Sequence, residues 1–160
     1  MEFRALVSSE IDKKFISEVK TRKIEDLPEG KVLIKVNFSS LNYKDALSAS
    51  GNKGVSRNFP HTPGIDAAGI VEFSEVDRYK KGDEVIVTGY DLGMNTSGGF
   101  SQFIRVPEEW VVLKPAEISL SESMALGTAG LTAGLCVRKL LNHGIKPETV
   151  SYTHLTLPTI

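Results

Sequence analysis

Residues 31–41 constrain this chain more than any other stretch. Val32, Ile34, Val36 and Phe38 point one way and Lys35 and Asn37 the other, a period of two that suits a half-buried strand and no helix. Pro28-Glu29-Gly30 supplies the turn before it. Short runs of the same kind recur at 3–8, 15–20, 65–73, 84–88, 100–106 and 110–114, parted by turns such as Lys80-Lys81-Gly82-Asp83. Ala67, Ala68 and Gly69 lie within one of them and predict close backbone packing there. Residues 43–49 read as a short helix capped by Asn42, residues 51–64 as a loop holding Pro60 and Pro63, and residues 89–99 as a glycine-rich loop. So many short strands at near-regular spacing predict a partly open barrel or a sandwich. Trp110 is expected in its core.

The pattern changes after Pro115. Ser119-Leu120-Ser121-Glu122 is a capping box, its serine hydroxyl and its glutamate each reaching a free backbone amide. A helix is expected from there towards His143, with Leu131, Leu135 and Arg138 on one side and Gly144 as a left-handed stop. Gly127-Thr128-Ala129-Gly130 should interrupt it, since two interior glycines cost about 1 kcal/mol each.

Bulk properties narrow the function classes. The 160 residues are 41% apolar and 24% charged with net charge −1, which offers no basic surface for nucleic acid or an anionic membrane. Cys136 is the sole cysteine, so an internal disulfide and a multi-thiolate zinc lobe are both excluded. A lone cysteine fits a reducing cytoplasm. No apolar run approaches the roughly 20 residues of a membrane span, and the N-terminus moves straight into alternation without a signal-peptide pattern. A soluble cytoplasmic protein is expected.

Five blocks carry a family signal: Ser39-Ser40-Leu41-Asn42-Tyr43-Lys44-Asp45-Ala46-Leu47; Arg57-Asn58-Phe59-Pro60; Pro63-Gly64-Ile65-Asp66-Ala67-Ala68-Gly69; Gly82-Asp83-Glu84-Val85 with the Gly98-Gly99 pair; and Ala125-Leu126-Gly127-Thr128-Ala129-Gly130-Leu131-Thr132-Ala133. In this order and spacing the chain resembles the quinone-oxidoreductase-like branch of the medium-chain dehydrogenase/reductase superfamily, and within it the acrylyl-CoA reductases. The resemblance implies a mainly β, GroES-like catalytic domain over residues 1–114, a partly open β-barrel. Residues 115–149 would then be an interdomain helix and the truncated start of an α/β Rossmann domain. It further implies NADPH as cofactor, bound mostly by residues beyond this chain, and a homodimeric full-length parent. The implied reaction is hydride transfer to the C=C bond of acrylyl-CoA or a similar small enoyl-CoA. The alternative is quinone or enone reduction on the same scaffold, and this chain by itself would be a non-catalytic domain. Residues 150–160, beginning Val150-Ser151-Tyr152-Thr153-His154, resemble a translated sequencing adapter and are expected to be a non-native tail.

Metal-using members of the superfamily carry Gly-His-Glu where this chain has Gly64-Ile65-Asp66, and a cysteine near Asn42 and Tyr43. Isoleucine cannot ligate a metal. The remaining native candidates, Cys136, His61 and His143, have no ligand spacing, so zinc independence is expected. The work of polarising the substrate must then fall to hydrogen-bond donors around the enolate oxygen.

The resemblance places Tyr43 against the nicotinamide end of the cofactor, where a phenol can hydrogen-bond or deliver a proton. Its plain alternative is a half-buried helix tyrosine bonded to backbone. Asn42 orients substrate or simply caps the helix, and Asp45 holds Tyr43 and Lys44 in place or acts as a first-turn acid. Asp66 is taken as an ordinary turn acid, with a relic of the metal-site acid as its rival. The resemblance sets Thr128 and Thr132 against the nicotinamide ribose and phosphates, where free helix amides suit an anion; helix packing is the alternative. Asn95, at the centre of the 89–99 loop, would meet substrate or lie on a surface loop. Arg57, with Lys53, would meet coenzyme A phosphates or be solvated loop charge.

Overall fold

The computed structural model describes residues 1–146; the 150–160 tail and its expected adapter origin lie outside the described residues. Strands β1 (Glu2–Ile11) and β2 (Lys14–Lys23) form an antiparallel hairpin in which Ile11 pairs with Lys14. Asp12 and Lys13, both at positive φ, make its two-residue turn, the geometry that matches the twist of the flanking strands. Five further strands form one antiparallel sheet: β3 (Val32–Phe38), β4 (Asp66–Ser74), β5 (Glu84–Thr88), β6 (Phe103–Val106) and β7 (Val111–Leu113). Their spatial order is β6-β3-β4-β5-β7. The hairpin joins this sheet where Leu6 N–H donates to the Phe100 carbonyl at 2.8 Å and Gln102 N–H to that of Arg4 at 3.0 Å. Of the barrel and the sandwich that the strand spacing allows, this is the partly open barrel that the family resemblance implies.

Two apolar cores explain the strand pattern. The larger lies inside the sheet and holds Val32, Ile34, Val71, Val85, Val87 and Ile104, each at most 1% exposed. Burying side chains of this size contributes about 1.5–3 kcal/mol apiece. The smaller sits under the hairpin and holds Phe3, Val7, Ile24, Leu27, Leu33 and Phe103. It corrects the simple alternation of β3: Leu33 is buried although it points away from Val32 and Ile34, while Phe38, at the far end, is 45% exposed. The strand is covered on both faces only at its start. Gly69 bears out the close packing expected of its run, because a Cβ there would collide with the Lys35 carbonyl. Trp110 packs against the larger core from its edge rather than lying within it. It is half-buried, lies in a short 3₁₀ turn before β7 and stacks on Tyr90 at 5.4 Å between ring centroids.

Helix α1 (Tyr43–Ala49) follows β3, with Asn42 at its N-cap. Helix α2 (Leu120–Asn142) starts at the expected capping box: Ser119 Oγ accepts from Glu122 N–H at 3.1 Å, and Glu122 accepts from Ser119 N–H at 2.8 Å. The helix breaks at Gly127, where φ is 49° and ψ is −156°, and Gly144 lies beyond its end at φ 80°. Leu120 and Met124 pack on Ala68, Ile70 and Ile86 of the sheet. From Leu131 to Lys146 every residue is exposed. α2 is also long and apolar enough, by length and composition alone, to cross a bilayer, which the sequence analysis did not anticipate because glycines and threonines dilute its apolar runs.

Candidate functional site

The end of β3, the start of α1, the start of β4 and the break in α2 meet at one side chain, Asp66. It is fully buried, the first residue of β4, and paired across the sheet with Thr88. Its carboxylate accepts from the Ser40 hydroxyl, from Asn42 Nδ2 at 3.0 Å, from Thr128 N–H at 3.0 Å and from the Thr128 hydroxyl at 2.7 Å. Its backbone carbonyl accepts from Ser39 Oγ at 2.6 Å. A fully buried polar side chain must find its hydrogen-bond partners within the protein, and this set supplies them. Asp66 is therefore not an ordinary turn acid. Its carboxylate gathers three residues, from two segments, that lie 24 to 62 residues away in the chain.

Asp45 makes a second tie. It is 2% exposed and accepts from Asn42 N–H at 2.8 Å and from Ile65 N–H at 2.9 Å. One carboxylate thus caps α1 and fastens it to the entry of β4. Burial pushes the Asp45 carboxyl above its ordinary value, and donation from the Asn42 and Ile65 amides pulls the other way. Its partners are these amides rather than Tyr43 or Lys44.

Tyr43 follows Asn42 directly. It is 80% exposed, and its hydroxyl has no hydrogen bond among the described residues, so it is not the half-buried, backbone-bonded tyrosine of the plain alternative. The break in α2 stands opposite this corner because Gly127 lies against Asp66 and Ser40: a Cβ there would come within 2.8 Å of both Asp66 Oδ2 and Ser40 Oγ. Thr132, one turn on, is exposed and donates to the Thr128 carbonyl at 2.8 Å.

Two of the sequence-predicted residues stand apart. Arg57 is exposed and lines a separate surface depression with Glu10, Lys53 and Phe59. Lys53 is already engaged, 3.4 Å from Glu10 and 4.7 Å above the Phe59 ring. Asn95 is exposed and donates to Asp91 Oδ1 at 3.0 Å, while Thr96 donates to the other Asp91 oxygen. Asp91, rather than Asn95, organises the 89–99 loop. Leu92 anchors the loop in the core, and Gly93, Gly98 and Gly99 pack backbone to backbone on the 62–66 segment. His61, 4% exposed, adds a bond between its Nε2 and the Gly93 carbonyl at 2.9 Å, and burial holds its imidazole below its ordinary value.

An apolar groove of about 430 Å³ adjoins the break. Ile86, Tyr90, Trp110, Val112, Leu126 and Leu131 wall it, and Thr88 and Gly127 form part of its lining. Among the described residues no group of three or more His, Cys, Asp or Glu side chains converges as a metal-binding set. Sequence reasoning missed Ser40 and undervalued Asp66; the Gly64-Ile65-Asp66 block held the one signal that pointed there.

Comparison with known proteins fits this geometry. Residues 28–116 match the alcohol dehydrogenase GroES-like domain. YhfP of Bacillus subtilis (strain 168), whose name assigns it provisionally to the quinone oxidoreductases, is 48% identical over 130 residues, 81% of this chain and 39% of that protein. The acrylyl-CoA reductase AcuI of Ruegeria pomeroyi is 44% identical over 147 residues, 91% of this chain and 44% of that protein. The yhdH oxidoreductase of Salmonella enterica, solved in complex with NADP, superposes with a TM-score of 0.87 at 43% identity, covering 92% of this chain and 45% of that one. The chain spans less than half the length of each of these relatives.

Proposed function

The chain belongs to the alcohol dehydrogenase GroES-like family of the medium-chain dehydrogenase/reductases, and from that premise we propose that it is the front part of a zinc-independent, NADPH-dependent reductase of acrylyl-CoA or a similar small enoyl-CoA. The observation that carries the proposal is the corner made by Tyr43 and the Asp66 cluster: an exposed phenol with no partner among the described residues, beside a rigidly bonded polar wall. The residues present fit a reduced nicotinamide. The small, exposed Ala129 leaves the backbone just past the α2 break accessible, and Ile65 offers no metal ligand where metal-using relatives have one.

When bound, NADPH supplies a hydride for the β-carbon of the unsaturated thioester. The chain's own task is to stabilise negative charge on the thioester oxygen and to manage the proton for the α-carbon. Tyr43 is suited to both, since its hydroxyl is free to donate. Asp45 and Asp66 fix the backbone and side chain of Asn42, the residue from which Tyr43 departs. The groove lined by Tyr90 and Trp110 supplies an apolar flank.

Reduction of a quinone or enone is the second reading, favoured by the 48% identity to YhfP. Steady-state rates of the longer gene product with NADPH and either acrylyl-CoA or a quinone rank the two. The enoyl reading predicts the higher kcat/KM for acrylyl-CoA and a roughly 10²- to 10⁴-fold loss in Tyr43→Phe, the usual scale for a positioned proton donor. A preference for the quinone, or an undiminished Tyr43→Phe enzyme, rejects it. The 160-residue chain alone is expected to show no micromolar NADPH binding by fluorescence titration.

A further inference from the structure

The segment 50–60 runs on from the end of α1 and is tightly held for a surface loop. The Asn52 side chain accepts from Gly54 N–H at 2.9 Å, and the Asn52 carbonyl from Val55 and Ser56 N–H at 2.9 and 3.0 Å. The Ser48 and Ser56 hydroxyls share a buried bond of 2.7 Å that ties the loop to α1. Gly51 lies against the Phe15 ring, where a Cβ would collide. Phe15 meets Phe59 edge-on, 4.8 Å between ring centroids, and Lys53 Nζ stands 5.3 Å from the first ring and 4.7 Å from the second. The loop thereby presents a depression of about 410 Å³ whose lining mixes three chemistries. Phe59 and Pro60 are apolar. Asn58 brings an exposed amide with no hydrogen bond among the described residues. Lys53 and Arg57 bring two cations, and Arg57 has no ion pair among the described residues. Glu10 is the one acid of the lining. Its bridge to Lys53 is 3.4 Å long, with the two side chains 43% and 57% exposed. Such a pair contributes little, so an incoming phosphate can take the place of Glu10.

We propose that this depression is a nucleotide site for the phosphorylated adenosine of coenzyme A. Arg57 grips its phosphates, Lys53 exchanges Glu10 for one of them, and Asn58 with Phe59 meets the base. A guanidinium suits phosphate because its fork donates two parallel hydrogen bonds. The inference rests on the enoyl-CoA reading above. The seven residues of α1, about 10 Å of helix, part Tyr43 from this loop. Coenzyme A carries its thioester at one end of a flexible arm and its nucleotide at the other, so one molecule can engage both places. A quinone has no second group to offer. The depression is therefore where the chain would tell a coenzyme A thioester from a quinone, apart from the corner where the chemistry occurs.

The test uses the isotope-labelled 160-residue chain and two probes at matched concentration, adenosine 3′,5′-bisphosphate and inorganic phosphate. The Asn58 side-chain amide and the Arg57 backbone amide are followed by NMR. The bisphosphate should shift both saturably, and inorganic phosphate should not saturate. Arg57→Gln should weaken bisphosphate binding about tenfold, the scale of a hydrogen bond to a charged group. Glu10→Gln removes the competing acid and should tighten binding, by up to about fivefold, a gain that a purely structural role for Glu10 would not produce. In the longer gene product the Arg57→Gln loss should appear in KM for acrylyl-CoA rather than in kcat, and should vanish with acrylyl-pantetheine, which lacks the nucleotide. No saturable shift, an unchanged Arg57→Gln chain, or weaker binding by Glu10→Gln would each overturn the proposal. So would an Arg57→Gln enzyme whose KM rises for NADPH instead, since the depression would then serve the cofactor's adenosine. Bisphosphate binding with these responses, but no acrylyl-CoA turnover by the longer gene product, would leave the site standing and reject the proposed function alone.

Discussion

Gly127→Ala separates this structure from a simple reading of α2 as one helix. In a regular helix interior, replacing glycine by alanine stabilises by about 0.5–1 kcal/mol. At Gly127 the sign should reverse. Its φ of 49° with ψ of −156° lies where L-residues are strained, at a cost of about 1–3 kcal/mol. The new Cβ would lie 2.8 Å from Asp66 Oδ2 and from Ser40 Oγ, and displacing those buried partners costs about another 1–3 kcal/mol. After the propensity gain is subtracted, a net destabilisation of about 1–5 kcal/mol remains. Gly134 is the internal control, since a Cβ there meets nothing within 4 Å and the same substitution should stabilise by up to about 1 kcal/mol. Urea unfolding followed by circular dichroism measures both. A Gly127→Ala chain as stable as the parent would refute the claim that Asp66 and the break hold each other in place.

Further outcomes follow from burial and charge. His61 is held neutral by burial, so its contribution is intact above the ordinary imidazole value near 6.5 and is lost as pH falls below it, because the unfolded chain then takes up a proton that the folded chain resists. His61→Gln should flatten the stability–pH curve just below pH 6.5, read by urea midpoints. Asp45 is raised from its ordinary 3.8, so its ionisation penalises the fold progressively as pH rises from 3.8 through the folded value. Asp45→Asn should remove that slope while lowering stability overall by about 1–3 kcal/mol, since its amide nitrogen cannot accept from both Asn42 and Ile65 N–H. The exposed Leu126, Leu131, Leu135 and Leu140, each 49–57% accessible, should drive self-association of the 160-residue chain. Leu131→Glu with Leu135→Glu should reduce it in sedimentation velocity.

What could be read from the sequence was what short-range chemistry decides. The α1 bounds followed from Asn42 and Asp45 three residues apart, the start of α2 from Ser119 and Glu122, and its break from Gly127. Close backbone packing at Gly69 was equally visible, because the residue type alone reports the lack of room. The Asp66 cluster was not, since its partners Ser40, Asn42 and Thr128 lie 26, 24 and 62 residues away and no local pattern ties an acid at a strand start to them. Leu33 failed for a related reason: only the hairpin folding over β3 buries its second face. Asn95 drew notice for its place at the centre of a loop, whereas Asp91, nearer the loop's start, accepts the bonds that shape it.

The central claim is that hydrogen bonds, with no metal, activate an enoyl thioester at this corner. The most direct measurement is the acrylyl-CoA-dependent oxidation of NADPH by the longer gene product before and after exhaustive chelation. The rate should be the same in both samples. A rate that collapses on chelation and returns with added zinc would contradict the account.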